Sequence, residues 1–401
     1  MTTSLSAAGL HELHDRMAGH VESHQLPGLI TLVAGGDEVR VDVVGTPSLD
    51  DATPLARDAV FRIASLSKPI TAAAAMSLVD DGTLRLDQTV DDVLPELADR
   101  RVLRAIDAEL DDTVPAQRSI TVDDLLSFRM GFGTVMAMPL STPIQRADAE
   151  LELRSIGGPP WPPTSLTPDG WMAALGSLPL MYQPGERWMY NTGAQVLGVL
   201  VARAAGKDLP TVLHERVCGP LGMRETGFCV PPDQLHRLTT YYAPQDDGSL
   251  TLLDAPSDSW WGTSPSFPDA SGMLVSTIDD LWAFVSMLLA RGVSQDGERV
   301  LSEQAISSMT TDRLTADQRA GAAPFLDGSG WGLGMSAPAS DDARTALPGA
   351  GFGWDGGSGT TWRTEPASGV TGILLTQRAM TSPQPPAVFQ DFWAGVNEAI
   401  A

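Results

Sequence analysis

Phe61-Arg62-Ile63-Ala64-Ser65-Leu66-Ser67-Lys68-Pro69-Ile70-Thr71-Ala72 is the stretch around which the rest of the chain is read. A short apolar entry ends in a serine, a lysine follows three residues on, and an Ala-rich run reads as a buried helix. Three residues of α-helix turn about 300° and rise about 4.5 Å, so Ser65 and Lys68 share one face. A serine at a helix N-terminus sits where backbone N–H groups and the macrodipole favour an alkoxide. A neutral lysine amine beside it can take the serine proton, provided burial lowers the lysine pKa. Only two of the 26 basic residues are lysines, Lys68 and Lys207. A lysine at this position is therefore not background usage, and an arginine could not serve because it never deprotonates. Pro69 is tolerable only if Ser65 to Lys68 form a tight leading turn.

The 401 residues are enough for one large or two medium domains with a sizeable core. A net charge of −24 argues against nucleic acid and anionic membrane as partners. No run approaches the roughly 18 apolar residues of a membrane-spanning helix, and the opening residues lack the pattern of a signal peptide. Cys218 and Cys229 do not make a disulfide framework, so a reduced, cytoplasmic setting is expected. Four histidines, His11, His14, His20 and His24, fall in an amphipathic opening helix over 9–24. No H-E-x-x-H motif or cysteine accompanies them, so a solvated face is expected and no metal or other cofactor.

Gly28 to Val33 and Val39 to Val44 are β-rich runs split by a Gly-Gly-Asp turn, a hairpin signal. Thr121 and Thr277 read as caps of helices with acidic first turns, and Gly206 as the stop of a helix over 194–205. Residues 131–184 change composition, with a Gly-Pro-Trp loop over 157–163, and are expected to form a cleft wall. Further strands are expected over 330–335, 359–364 and 370–378, and a closing helix over 391–400. Strands cluster at both ends and helices between them. An α+β fold follows, with 1–64 and 265–401 forming a sheet domain and 65–264 a helical one.

Two further motifs carry chemistry. Pro184-Gly185-Glu186-Arg187-Trp188-Met189-Tyr190-Asn191-Thr192 enters the 194–205 helix. A phenol at such a junction can carry protons if neighbouring cations lower its pKa. Gly353-Trp354-Asp355-Gly356-Gly357-Ser358-Gly359 offers glycines that let a strand backbone approach a ligand closely.

In this order the three motifs resemble the S-x-x-K, Y-x-N and K-T-G elements of the serine β-lactamase and penicillin-binding-protein group. The chain is most similar to the class C β-lactamase-like serine hydrolases, which include the family VIII carboxylesterases. Leu26-Pro27-Gly28, Gln183-Pro184-Gly185-Glu186-Arg187, Pro220-Leu221-Gly222-Met223 and Ala270-Ser271-Gly272-Met273-Leu274 support the resemblance. It implies the β-lactamase/transpeptidase-like fold, an antiparallel sheet flanked by helices with a mostly helical insertion. It also implies that Ser65 is acylated, that Lys68 accepts its proton and that Tyr190 shuttles protons. The backbone N–H groups of Ser65 and Gly357 would form the oxyanion hole, with Trp354, Asp355, Gly356 and Thr192 facing substrate. The chain departs from the pattern at Thr192, where the family has asparagine, and at Trp354-Asp355, where it has Lys-Thr. Counting back from Asn191 instead would put Met189 on the tyrosine, which could not do the chemistry.

The expected activity is cleavage of a small-molecule ester through an acyl-enzyme. β-Lactamase, D-amino-acid peptidase or amidase, and acyltransferase activities are the alternatives on the same fold. A binding protein on an inactive scaffold is a different class, opposed by the joint presence of Ser65, Lys68 and Tyr190. An α/β-hydrolase is opposed by the absence of G-x-S-x-G and of any histidine after His236. Neutral esters are expected to outrun β-lactams, because Trp354 replaces a cation and Asp355 adds a like charge against a carboxylate.

Overall fold

A computed structural model describes residues 4–135, 141–153, 164–339 and 351–400. The Gly-Pro-Trp loop over 157–163 and part of the expected cleft wall lie outside these. Seven strands form one antiparallel sheet: β1 (Gly28–Gly35), β2 (Glu38–Gly45), β3 (Gly330–Trp331), β4 (Ser336–Ala337), β5 (Phe352–Gly356), β6 (Thr360–Thr364) and β7 (Thr371–Thr376), in the order β2-β1-β7-β6-β5-β4-β3. The hairpin expected at 28–44 is present, and β1 pairs with β7 from Leu29 opposite Thr376 to Ala34 opposite Thr371.

All eight residues of β1 are buried, because both faces of the sheet are covered. Side chains alternate across the pleat. Leu29 and Val33 pack with Leu374 under α1 (Ala7–Glu22) and the closing helix over Ala387–Glu398. Ile30 and Leu32, with Ile373 and Leu375, face the other way into the main core. That core runs on without a break into α2 (Ser67–Asp80) and α3 (Thr192–Ala205). α2 is buried from Ser67 to Leu78 on every side, which explains its four consecutive alanines: only small side chains let neighbours close around a whole helix.

Local capping follows the sequence. Thr121 and Asp124 form a reciprocal capping box, Thr277 accepts from Asp280 N, and Gly206 adopts the left-handed conformation after α3. The histidine face of α1 departs from expectation at one position. His20 is 6% exposed and bonds Asp391 on the closing helix at 2.8 Å, so it ties two helices together and is not solvated. No helix of the described residues is long and apolar enough to cross a membrane.

Candidate active site

Ser65 is set by backbone strain and by long-range ties. Ala64 has φ 42°, a left-handed conformation that a non-glycine residue adopts only when its surroundings impose it. A 3₁₀ turn over Ala64–Leu66 then leads into α2. Phe61–Arg62 pairs with Val275–Ser276, and Ile63 N donates to Leu274 O at 3.0 Å. From the far side of the sequence, Ser358 Oγ donates to the Arg62 carbonyl and Thr360 Oγ1 to that of Ile63. Gly356 lies so close that a Cβ there would come within 2.4 Å of the Ile63 oxygen. The turn from β5 to β6 is thus pressed onto the backbone just before the serine.

Three polar atoms meet at this point. Lys68 Nζ lies 2.8 Å from Ser65 Oγ and donates to the Ser271 carbonyl at 2.6 Å. Tyr190 donates its hydroxyl hydrogen to Ser65 Oγ at 2.8 Å. Trp354 Nε1 donates in turn to the Tyr190 oxygen at 2.8 Å. Tyr190, not Met189, reaches the serine; Met189 is buried in the core. Asn191, with φ 80°, makes the abrupt turn into α3 that swings Tyr190 inward. Thr192 is buried as the first residue of α3, and its side chain makes no hydrogen bond to Ser65 or Lys68 among the described residues.

Burial decides the protonation states. Lys68 is 1% exposed, and desolvation pulls its amine down to about 7, opposed by the charge of Asp269. Burial pushes the Tyr190 phenol up to about 12, against the pull of its bonds to Ser65 and Trp354. This reverses the expectation of a phenol acidified by neighbouring cations. Tyr190 instead sits among rings: Phe325 stacks on it at 4.6 Å, with Phe128, Trp188 and Trp354 within 6.0 Å. At neutral pH the arrangement offers an amine able to accept a proton and a phenol able to donate one.

The glycine-rich motif holds a second surprise. Asp355 is clasped by Arg363, at 3.0 and 3.1 Å, and accepts from Thr361 Oγ1 at 2.5 Å. The like charge expected at Asp355 is therefore neutralised by its own hairpin. A cavity of about 520 Å³ opens beside this pair, lined among others by Phe325, Trp354, Phe389 and Trp393.

Two residues of the site went unseen in the sequence. Asp269 and Gln195 are both buried and bond each other at 2.8 Å, and Asp269 Oδ1 accepts from Ser271 N at 2.7 Å. The only local signal was an aspartate two residues before a serine, the pattern of an Asx turn.

A family model described as Beta-lactamase matches residues 13–388. Protein Rv1367c of Mycobacterium tuberculosis is 39% identical over 362 residues, covering 88% of this chain and 86% of the relative. Esterase EstB of Burkholderia gladioli is 28% identical over 398 residues, covering 94% and 92%. The solved structure titled EstCE1, a hydrolase with promiscuous acyltransferase activity, superposes with a TM-score of 0.77 at 22% identity, over 97% of this chain and 98% of that one. An antiparallel sheet closed by both ends of the sequence, a serine turn held against the hairpin of two of its inner strands and a family match across nearly the whole length have one reading: the chain belongs to the beta-lactamase family of serine hydrolases.

Proposed function

We propose that the protein cleaves carboxylic esters of small molecules through an acyl-enzyme on Ser65. The observation that carries this reading is the convergence of Lys68 Nζ and Tyr190 Oη, each 2.8 Å from Ser65 Oγ. Neutral Lys68 takes the Ser65 proton as Oγ attacks the ester carbonyl carbon. The resulting oxyanion is held by the N–H groups of Ser65 and Gly357, donors of a kind worth about 3–4 kcal/mol each. Collapse breaks the C–O bond of the ester, and Tyr190 protonates the departing alkoxide. The Lys68 ammonium returns a proton to Tyr190, so acylation ends with both groups as they began. Water then repeats the sequence on the acyl-enzyme and frees the acid. Similarity to an esterase over nearly the full length supports ester substrates. Trp354, in place of a cation, supports neutral ones.

The test is hydrolysis of p-nitrophenyl butyrate by purified wild-type, Ser65→Ala, Lys68→Arg and Tyr190→Phe proteins. The first two lose nearly all turnover, and Tyr190→Phe loses about 10²–10⁴ in kcat. A fluorophosphonate probe labels wild type but not Ser65→Ala. Equal activity in wild type and Ser65→Ala would move the chemistry elsewhere.

A further inference from the structure

The segment over 269–274 is fastened to the start of α2 along its whole length. Thr71 Oγ1 donates to Ala270 O at 3.3 Å, Lys68 Nζ to Ser271 O at 2.6 Å, and Leu274 N to Ser67 Oγ at 3.1 Å. At the head of the segment is Asp269, 5% exposed. Its two carboxylate oxygens accept from two N–H donors, Ser271 N at 2.7 Å and Gln195 Nε2 at 2.8 Å. A donor set made only of N–H groups suits the ionised carboxylate. No arginine or lysine forms a salt bridge with Asp269 among the described residues. It is a buried carboxylate without an ion-pair partner, linked to the amine of Lys68 through the backbone of Ser271, whose N–H it accepts and whose carbonyl accepts from Lys68.

We propose that Asp269 is a positioning residue, a buried counter-charge that holds the Ser271 carbonyl against Lys68 and fixes the pH at which that amine begins to accept the serine proton. The proposal rests on Lys68 being the base of the reaction above. The other titratable group facing Lys68 is Tyr190, whose ring lies 4.5 Å from Nζ. Asp355 bears on Tyr190 and is already paired with Arg363. Besides Lys68 itself, α2 brings no ionisable side chain to the amine, and the turn before it brings only the hydroxyl of Ser65. Among the described residues, Asp269 is thus the negative charge whose influence reaches Lys68, and it raises the affinity of the amine for a proton against the effect of burial.

Gln195 makes a clean test possible. Its Oε1 is buried without a hydrogen-bond partner. In Asp269→Asn, a flip of the Gln195 amide turns that oxygen toward the new NH₂ group, and the new carbonyl still accepts from Ser271 N. The hydrogen bonds survive and only the charge is lost. The acid limb of kcat/KM for p-nitrophenyl butyrate should move to lower pH by about one unit, the scale expected of one nearby buried charge. Asp269→Glu keeps the charge, so its limb stays with wild type even if kcat falls. Asp269→Ser, smaller and neutral, must shift as the asparagine variant does. The same limb is read independently from the pH dependence of fluorophosphonate labelling of Ser65. A folded Asp269→Asn enzyme with the wild-type limb overturns the proposal. So does a limb that moves equally in Asp269→Glu, and so does failure of both neutral variants to fold while the glutamate variant folds, since the charge would then be structural. Activity surviving in Lys68→Arg would instead overturn the base assignment itself.

Discussion

In the mechanism proposed above, Lys68 carries the pH dependence of the site. Below about 7 its amine is charged and cannot take the Ser65 proton; above that it is free to do so. Tyr190, held near 12, remains a donor throughout the accessible range. The pH profile of kcat/KM should therefore climb about tenfold per unit below pH 6, level off above about 7, and show no basic limb before pH 10. Measurement from pH 5 to 10 checks it. A falling limb near pH 8 or 9 would mean that Tyr190 works as a phenolate and that the two roles are exchanged. Tyr190 stays protonated because it is buried; where the related motif has a lysine, this chain presents an indole N–H, which pulls the phenol down without adding a full positive charge.

In the mechanism proposed above, the hairpin of β5 and β6 places the second oxyanion donor and sets the preference for substrate charge. Gly356→Ala puts a methyl group against the Ile63 carbonyl and within 2.1 Å of Thr360 Oγ1, so strand and serine turn must separate. Overpacking of this kind costs about 1–3 kcal/mol. A displacement of about 1 Å at the reacting atoms costs on the order of 10²-fold in rate. Activity should thus fall far more than thermal stability, as kinetics and melting of one preparation would reveal; unchanged kcat/KM would free the hairpin of this role. The same hairpin revises the expected preference for neutral substrates. With Asp355 neutralised by Arg363, only the missing cation discriminates, a charge-assisted contact worth about 1.5–3 kcal/mol. p-Nitrophenyl butyrate should outrun nitrocefin by about 10- to 150-fold in kcat/KM through this term, and parity would favour the β-lactamase reading. The pair was within reach of the sequence. Asp355 faces Thr361 across the hairpin, so Arg363 is its diagonal neighbour once the turn is put at Gly357 to Gly359.

Across the whole molecule, the legible features are those made within one turn or one hairpin. Ser65 and Lys68, the caps at Thr121 and Thr277, and the 28–45 hairpin are set by spacings of two to four residues, where periodicity and cap chemistry act. Lys68 meets Ser271 across 203 residues and Gln195 meets Asp269 across 74, and no local pattern encodes such meetings. Arg62 is the largest of these hidden ties. Its guanidinium is buried against Asp254, accepts the faces of Tyr241 and Trp261 as neighbours at 5.6 and 4.9 Å, and donates to Thr239 O at 2.6 Å. Arg62→Met should cost about 3–5 kcal/mol by leaving Asp254 buried and charged with only the hydrogen bonds from Ser259 and Trp260. The double variant with Asp254→Leu should recover much of that loss in chemical denaturation. Equal stability of Arg62→Met and wild type would show that the pair contributes nothing net.

The hydroxyl of Ser358 reaches the carbonyl of Arg62 across 296 residues, and that separation has a meaning during synthesis. A ribosome releases the serine and lysine early, yet the strand that seats them emerges only after residue 352 is made. Until then the serine turn lacks both the hairpin that presses on it and Gly357, the second donor of the proposed oxyanion hole. Closing so long a loop is slow relative to local helix formation, so the serine turn is expected to form before the strands that seat it. On the mechanism proposed above, reactivity would then switch on only once this hairpin has closed, and a product truncated before residue 352 would carry the nucleophile without the means to acylate it.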